Sequence, residues 1–493
     1  MAIDYWIRGK LVLTVILLWG RVSVSAQQPI VINLTDAVET YVYTTRRVQM
    51  QRLSYETAVM EYEIFKRGLL PSIEFSLNPV SFNRSLRLLQ NYDTGKYSSV
   101  EEYSNTTYGS VTVSQFIPFT GGTLSVGNSL SYLYEFSNST NSFSTQPFFV
   151  RYNQQLFGGR RTFLYQKEIQ DRSYEMALDV YCSEILAEQF TVMQLFLNAY
   201  LAKMDVEYYD KAVVIGDKLL KQARLRFGLG KITECEKNVI ELQQLNNQMN
   251  ARQSRDNYDS AVRKFEMELQ MEDVQVGELG SIAFPCVMKY EEVLEWATIN
   301  NPICRRISLQ NVNAAYSLYA SKISNRFNAN ISLTYGLNQY SNSFSHAYKH
   351  PNQQQAVSLT LTIPVLQWGI NRRKLKIAKN NYEAIVSEQE STLEQFYEQV
   401  RKCVADYNRC RSLLDIVERR YQLSEQQYEM MTVQFSVGKI SAIELSNADK
   451  DRQKSKQEYV NILRDMYVNY YQIRQMTMCD IESGRKLKEE IKA

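Results

Sequence analysis

Apolar and small side chains recur along two segments of the chain at alternating spacings of four and three residues. The first series is Tyr209, Val213, Gly216, Leu220, Ala223 and Phe227, and the second is Val417, Tyr421, Ser424, Tyr428, Met431 and Phe435. The two series share one spacing at an offset of 208 residues. A mean repeat of 3.5 residues is typical of a coiled-coil seam. The pattern therefore predicts two related halves, each with a coiled-coil helix.

Each series lies in a long segment without proline, at residues 162–227 and 371–435. Such a segment would form a helix of roughly 96 Å at 1.5 Å per residue, which is far longer than an ordinary globular helix. A glycine follows each segment, Gly230 or Gly438, and predicts a turn into a returning helix. We expect the returning helices at about 232–271 and 441–479. Shorter helices at about 43–66 and 303–325 would lie beside the long ones.

Strict alternation of apolar and small polar residues predicts six strands ahead of the long helices. They lie around residues 73–77, 111–113, 124–132, 148–152, 331–337 and 357–363. The stretches 79–107, 135–146 and 339–354 are rich in Ser, Asn and Tyr and are interpreted as loops. Strands of an outer-membrane barrel alternate in this way, apolar toward lipid and polar toward water. A soluble β-sandwich alternates similarly and remains an alternative.

The first 26 residues have the pattern of a secretory signal peptide, with basic residues, a short apolar run and Val24-Ser25-Ala26 before the cleavage point. We expect a first structural repeat at 27–272, a linker at 273–288, a second repeat at 289–480 and a charged tail at 481–493. No later stretch is apolar for 18 residues, so the mature chain is predicted to cross a membrane only as strands.

Composition argues against several functions. A formal net charge of +3 gives no large positive field, so no nucleic-acid partner is expected. Two histidines and the lack of a nucleophile–base pair argue against an enzyme, a metal site or a cofactor. Seven scattered cysteines do not resemble a disulfide framework.

Six strands are too few to close a membrane barrel, and open strand edges are not tolerated in lipid. Several copies are therefore expected to share one barrel, with their helices side by side beneath it. The predicted fold class is an α+β membrane protein with an internal two-fold repeat. It combines a long α-helical coiled-coil barrel with a transmembrane β-barrel shared by several copies, which the family resemblance described next sets at three.

This layout resembles the TolC-type outer-membrane efflux protein family. The resemblance rests on the duplicated order of strands and long helix, on the strand-to-helix junctions Gln155–Arg161 and Pro364–Arg373, and on the tip with Gly438 followed by Glu444-Leu445. It implies a homotrimer in the outer membrane of a Gram-negative bacterium, with the helices in the periplasm. It also implies a passive exit duct for efflux or secretion, which contacts outer-membrane lipid, a periplasmic adaptor and an inner-membrane transporter. The alternative is a secreted structural or adhesive coiled-coil protein with a β-sandwich head.

The resemblance also assigns roles to residues. The periplasmic gate would fall on Glu444, Glu236 and Asn447, although Asn447 is uncharged where the family has an acid. The adaptor-docking tips would comprise Phe227, Gly230, Lys231, Phe435, Gly438, Lys439 and Leu445. Hinges between strands and helices would lie at Gly158, Gly159, Pro364 and Gly369. The family has four strands per chain and twelve per trimer, so the hairpin around 109–134 is an addition.

Overall fold

The computed structural model describes residues 30–90, 95, 97–280, 284–285, 287–479 and 481. The predicted signal peptide, Cys286 and nearly all of the charged tail lie outside these residues. Within them, no helix is both long enough and apolar enough to span a bilayer.

The described residues form eight α-helices, and two of these are exceptionally long. The helices are α1 (Leu34–Glu39), α2 (Arg46–Arg67), α3 (Gly159–Gly228), α4 (Glu234–Leu269), α5 (Tyr290–Asn300), α6 (Ile303–Ser324), α7 (Ile370–Ser436) and α8 (Ala442–Thr477). The long helices α3 and α7 contain 70 and 67 residues, which confirms the lengths predicted from the proline-free segments.

Eight strands in the described residues form two sheets. The strands are β1 (Ile30–Ile32), β2 (Ser72–Gln90), β3 (Tyr97–Ile117), β4 (Gly122–Glu135), β5 (Thr140–Gln155), β6 (Val274–Val276), β7 (Asn328–Ser341) and β8 (Asn352–Thr362). Strands β1 and β6 form a small parallel pair, and the other six form one antiparallel sheet in the order β2-β3-β4-β5-β7-β8.

The chain divides into two compact units. The sheet unit comprises residues 53–181 and 301–398 and holds the six-stranded sheet. The helical unit comprises the described residues up to Arg52, residues 182–300 and the described residues from Gln399 onward.

In the sheet unit, the six predicted strands are present, but they are longer than predicted. The interpretation of 79–107 as a loop is wrong, because β2 extends to Gln90 and β3 begins at Tyr97. Pro79 is tolerated because the β2–β3 register shifts between Asn78 and Ser81, and a proline fits such an irregularity on an edge strand. The predicted loops at 135–146 and 339–354 are likewise shorter than expected, since strands occupy most of the first stretch and both ends of the second.

In the helical unit, α4 and α8 return beside α3 and α7 as predicted. Gly216 of α3 permits a close approach of α4, since a Cβ at this position would collide with the side-chain amide of Gln244. The Gln244 amide donates hydrogen bonds to the Asp217 carboxylate at 2.8 Å and to the Val213 carbonyl at 3.2 Å. Small seam residues therefore bring the helices close enough for direct polar contacts between them.

Candidate functional site

The two helix tips in the helical unit are built in the same way. Both Gly230 and Gly438 have a left-handed backbone, with φ of +67° and +81°. At the second tip, the Lys439 N–H donates to the Gln434 carbonyl at 2.9 Å, and the Gly438 N–H donates to the Phe435 carbonyl at 3.0 Å. This pair of hydrogen bonds closes the end of α7, and only glycine adopts the required φ without strain.

The predicted gate acids lie at the starts of the returning helices, where they close capping boxes. The Glu444 carboxylate accepts a hydrogen bond from the Ser441 N–H at 2.7 Å, while the Ser441 hydroxyl accepts one from the Glu444 N–H at 3.2 Å. Glu236 and Thr233 form the equivalent box at the start of α4. Each acid therefore stabilises its own helix, whatever further role it has.

Capping also affects the charge at the second tip. The backbone N–H of Ser441, together with the Ser441 hydroxyl, holds the pKa of the exposed Glu444 carboxyl below its usual range. In a single copy, Glu444 is thus firmly ionised at neutral pH. Asn447, one turn further along α8, is exposed and adds no charge.

The predicted docking residues separate into a buried group and an exposed group. Phe435 and Leu445 are almost fully buried, in an apolar cluster that also contains Leu219, Ala223, Ile240, Tyr428, Ala442 and Ala448. Phe227, Lys231 and Lys439 are exposed, and the ammonium of Lys237 lies 4.8 Å from the centre of the Phe227 ring. Phe435 and Leu445 thus shape the tip from within.

Two exposed apolar residues at the turns lie within the predicted tip segments but were not singled out as docking residues. Leu229 and Val437 immediately precede the turn glycines, and their side chains are 70% and 65% exposed. They lie 208 residues apart, so the repeat offset that relates the two seams would have identified them.

Arg226 connects the two tips. Its guanidinium donates a hydrogen bond to the Phe435 carbonyl at 2.7 Å and lies 5.3 Å from the centre of the Phe435 ring. A Cβ at Gly438 would come within 2.7 Å of the same guanidinium. The glycine at the second turn therefore also makes room for the side chain that joins the tips.

A buried group of charges lies on α8 beyond the second tip. Arg452 donates to the Asp449 carboxylate at 2.6 Å, and its guanidinium lies 3.8 Å from the centre of the Tyr428 ring. Asp449 also accepts a hydrogen bond from Gln243 of α4 at 2.7 Å. Lys456 is buried against Asp205 of α3 at 2.5 Å, and burial lowers the pKa of this lysine. These contacts join α8 to the helices of the first hairpin.

The predicted hinges lie in the sheet unit. Gly158 has a φ of +92°, and its carbonyl accepts a hydrogen bond from the Tyr319 hydroxyl at 3.4 Å. In the second junction, Gly369 and the preceding Trp368 both have left-handed backbones, with φ of +76° and +50°. Both junctions thus change direction at a left-handed glycine.

The described residues contain no group of three His, Cys, Asp or Glu side chains that would hold a metal ion. The geometry of the tips is that of a packed and charged helix end. It suits contact with ions or with another protein.

Comparisons with known proteins agree with this architecture. Residues 308–477 match the family model described as outer membrane efflux protein. The chain is similar to the crystal structure of the Campylobacter jejuni CmeC outer membrane channel at 14% identity and a TM-score of 0.65, covering 93% of this chain and 88% of that one. It is also similar to VceC, an outer membrane protein from Vibrio cholerae, at 11% identity and a TM-score of 0.61, covering 90% and 95%. No curated relative matches the sequence.

The predicted resemblance to outer-membrane efflux proteins is thereby confirmed, as are the predicted fold class and the location in the outer membrane. The family match also supports the prediction that the chain is not an enzyme.

Proposed function

We propose, from the outer membrane efflux protein domain in residues 308–477, that the chain is the outer-membrane exit duct of a tripartite efflux or secretion system. Three copies form a passive channel that receives cargo from a periplasmic adaptor and an inner-membrane transporter. The observation that carries the proposal is an antiparallel sheet of six strands with two open edges, in a chain that also contains two helices of 70 and 67 residues.

The open edges of the sheet favour a shared barrel. The edge strands β2 and β8 expose large apolar side chains, with Ile73 at 76% and Val357 at 75%. An isolated edge of this kind would be an aggregation site in water, and its unpaired backbone groups would be costly in lipid. Pairing with further copies satisfies both edges, and outer-membrane lipid then covers the apolar face.

A gate at the tips follows from the charge of Glu444. Three copies would place three ionised Glu444 carboxylates around one axis, with Glu236 nearby and Asn447 uncharged. A ring of carboxylates favours cations and repels anions. Repulsion between the three would raise the pKa of some of them above that of the single copy.

A docking surface for the adaptor is supported by the exposed residues of the turns. Leu229 and Val437 present apolar side chains beside Lys231 and Lys439, while Phe435 and Leu445 hold the turn in shape. A small apolar patch flanked by cations fits a partner with apolar and acidic residues. Such a contact is small, so six copies of it around a trimer would act together.

A photo-crosslinking amino acid at position 229 or 437 tests the docking in cells. We expect a cross-link to a periplasmic protein at both positions, and none from exposed Arg252 in the body of α4. Equal cross-linking from all three positions would contradict docking at the tips.

The alternative, a secreted adhesive protein with a β-sandwich head, lacks support in the described residues. Six of the eight described strands form one sheet, and the other two form only a short parallel pair, which is too small to be the second layer of a sandwich. Extraction separates the two functions: the duct requires detergent and remains an oligomer, whereas the adhesive protein would be released by buffer alone.

A further inference from the structure

Six strands per copy, rather than four, have a consequence for the width of the duct. Resting on the proposed function, we propose that β8 of each copy pairs with β2 of the next, and that three copies close one barrel of eighteen strands. The interface partner is a second copy of this chain. Barrels of this size leave an open aqueous channel.

The additional hairpin, β3–β4, is an integral part of the sheet. Strand β3 pairs with β2 on one side and with β4 on the other, and β4 pairs with β5. Its turn is also fixed by side chains, since Gln154 donates to the Thr120 carbonyl at 2.8 Å. The hairpin therefore cannot leave the barrel without breaking two ladders.

An even number of strands makes head-to-tail closure feasible. Neighbouring strands are antiparallel throughout the sheet, so with six strands the two edges, β2 and β8, run in opposite directions. Pairing β8 with the next copy's β2 therefore continues the antiparallel pattern that bacterial barrels require.

The register of the sheet supplies a quantitative check. Ser72, at the start of β2, lies level with Ala356 of β8, because the two are connected by successive paired residues on the strands between them. Ala356 lies six residues before Thr362, the end of β8 nearest α7. If Ser72 of the next copy pairs with Thr362, each copy is displaced along the strands by six residues relative to the copy before it. With about 3.3 Å per residue and about 4.8 Å between strands, this displacement tilts the strands by about 35°, which is normal for a barrel.

This register also matches the two faces of the sheet. It places Ser76 of one copy opposite Ser358 of the next on the polar face. On the apolar face it places Phe75 opposite Leu359, and both of these side chains are exposed in the single copy.

The helices that continue from the edge strands favour the same contact. Helix α2 ends just before β2, and its Leu53, Met60 and Ile64 are more than 60% exposed. Helix α7 begins eight residues after the end of β8. Glu61 of α2 and Lys376 of α7 each lie six residues from the helix end nearer to the sheet, and both are exposed. Copies joined at β8 and β2 would bring these two helices side by side, with the apolar stripe of α2 and one charge of each sign available for the contact.

The proposed barrel is wide. At the same tilt, eighteen strands give about 33 Å between opposite backbones, against about 22 Å for twelve strands. The strands of this barrel would therefore admit solutes wider than those that a twelve-stranded barrel admits.

Cysteine cross-linking in outer membranes tests the pairing. The variant with Ser76→Cys and Ser358→Cys is oxidised, and we expect a ladder of covalent dimers and trimers. If the register between copies is shifted by two residues, Ser76 would lie opposite Ala356 or Thr360 instead of Ser358. Variants that combine Ser76→Cys with Ala356→Cys or with Thr360→Cys test these two registers. Each single variant controls for the native cysteines.

The matched control is Ser125→Cys with Ser358→Cys. Ser125 lies on the polar face of β4, which would be the edge strand that meets β8 if β2 and β3 lay outside a barrel of four strands per copy. We expect no link from this pair. A link from it, or a detergent-resistant oligomer without any link from Ser76→Cys, would overturn the eighteen-stranded barrel and leave the duct intact. Absence of any oligomer would overturn the proposed function as well.

Discussion

The guanidinium of Arg226, at the end of the first long helix, donates a hydrogen bond to the backbone carbonyl of Phe435, at the end of the second, over 2.7 Å. The two residues are 209 positions apart, and the same guanidinium lies over the Phe435 ring. This contact ties the two hairpin tips of one copy together at the proposed periplasmic entrance. Its partner is a main-chain atom, so no change of side chain at position 435 would remove the hydrogen bond.

Replacing Arg226 should therefore loosen the entrance. Arg226→Met retains much of the side-chain volume but removes the donor. We expect larger single-channel conductance in planar bilayers, since the closed tip loses a charge-assisted hydrogen bond that contributes about 1.5–3 kcal/mol. Arg224→Met is the control, because Arg224 pairs with Glu241 within the first hairpin, on its exposed surface. Equal conductance changes in the two variants would show that Arg226 has no special role at the tip.

Glu444 is expected to have two separable effects. Glu444→Gln removes the charge from the proposed ring, so the preference of the pore for cations over anions should fall in reversal-potential measurements. Ser441→Ala weakens the cap but keeps the carboxylate, so it should lower thermal stability and leave ion preference unchanged. Capping depresses the pKa of Glu444. The stability that Glu444 contributes to the fold is therefore fully present above the ordinary pKa of a carboxyl group, and it is lost as the pH falls through the depressed pKa of the folded state. An unchanged ion preference in Glu444→Gln would remove Glu444 from the gate.

Glu188 should make the folded state less stable as the pH rises, which is the opposite of the dependence expected from Glu444. Its side chain is buried within the helical unit, and burial, followed by the nearby Glu268, raises the pKa of Glu188 to about 7. A raised carboxyl pKa means that the folded state holds the proton more tightly, so stability is highest below the unfolded pKa and declines as pH rises toward 7. The slope is at most about 1.4 kcal/mol per pH unit.

Thermal unfolding of the detergent-extracted protein between pH 4.5 and 8 checks this dependence. Glu188→Gln keeps a neutral side chain of the same shape, and we expect it to flatten the decline and to raise the melting temperature at pH 8. A decline of the same steepness in Glu188→Gln would assign the pH dependence to other groups.

The buried charges on α8 should be sensitive to removal of one partner. Asp449→Ala leaves the Arg452 guanidinium buried without its carboxylate, and we expect a loss of about 3–5 kcal/mol in stability. The double variant Asp449→Leu with Arg452→Met removes both charges and should recover most of that loss. A double variant less stable than Asp449→Ala would show that the ion pair itself is strongly stabilising.

The sequence was sufficient for the elements whose signal is local. The long helices follow from proline-free segments and a 3.5-residue seam, and the turns follow from Gly230 and Gly438 because an αL backbone selects glycine. The ends of β2 and β3 were not predictable, since Ser, Asn and Tyr there alternate weakly and Pro79 suggests a break. The register shift that accommodates Pro79 depends on the pairing partner.

The contacts that shape the site depend on residues far apart in the chain. Nothing near Arg226 indicates Phe435 as its partner, and nothing near Asp449 indicates Gln243. The repeat offset located the tips, but only packing shows that Leu445 is buried while Leu229 is exposed.

The central claim is that one copy supplies an arc of strands and that several copies enclose a water-filled passage. An electron cryomicroscopy map of the detergent-extracted protein in lipid nanodiscs tests it most directly. We predict three copies around one axis, with six strands from each in a single closed ring that encloses a continuous cavity. A single copy whose sheet closes on itself, or a ring without a continuous cavity, would contradict the account.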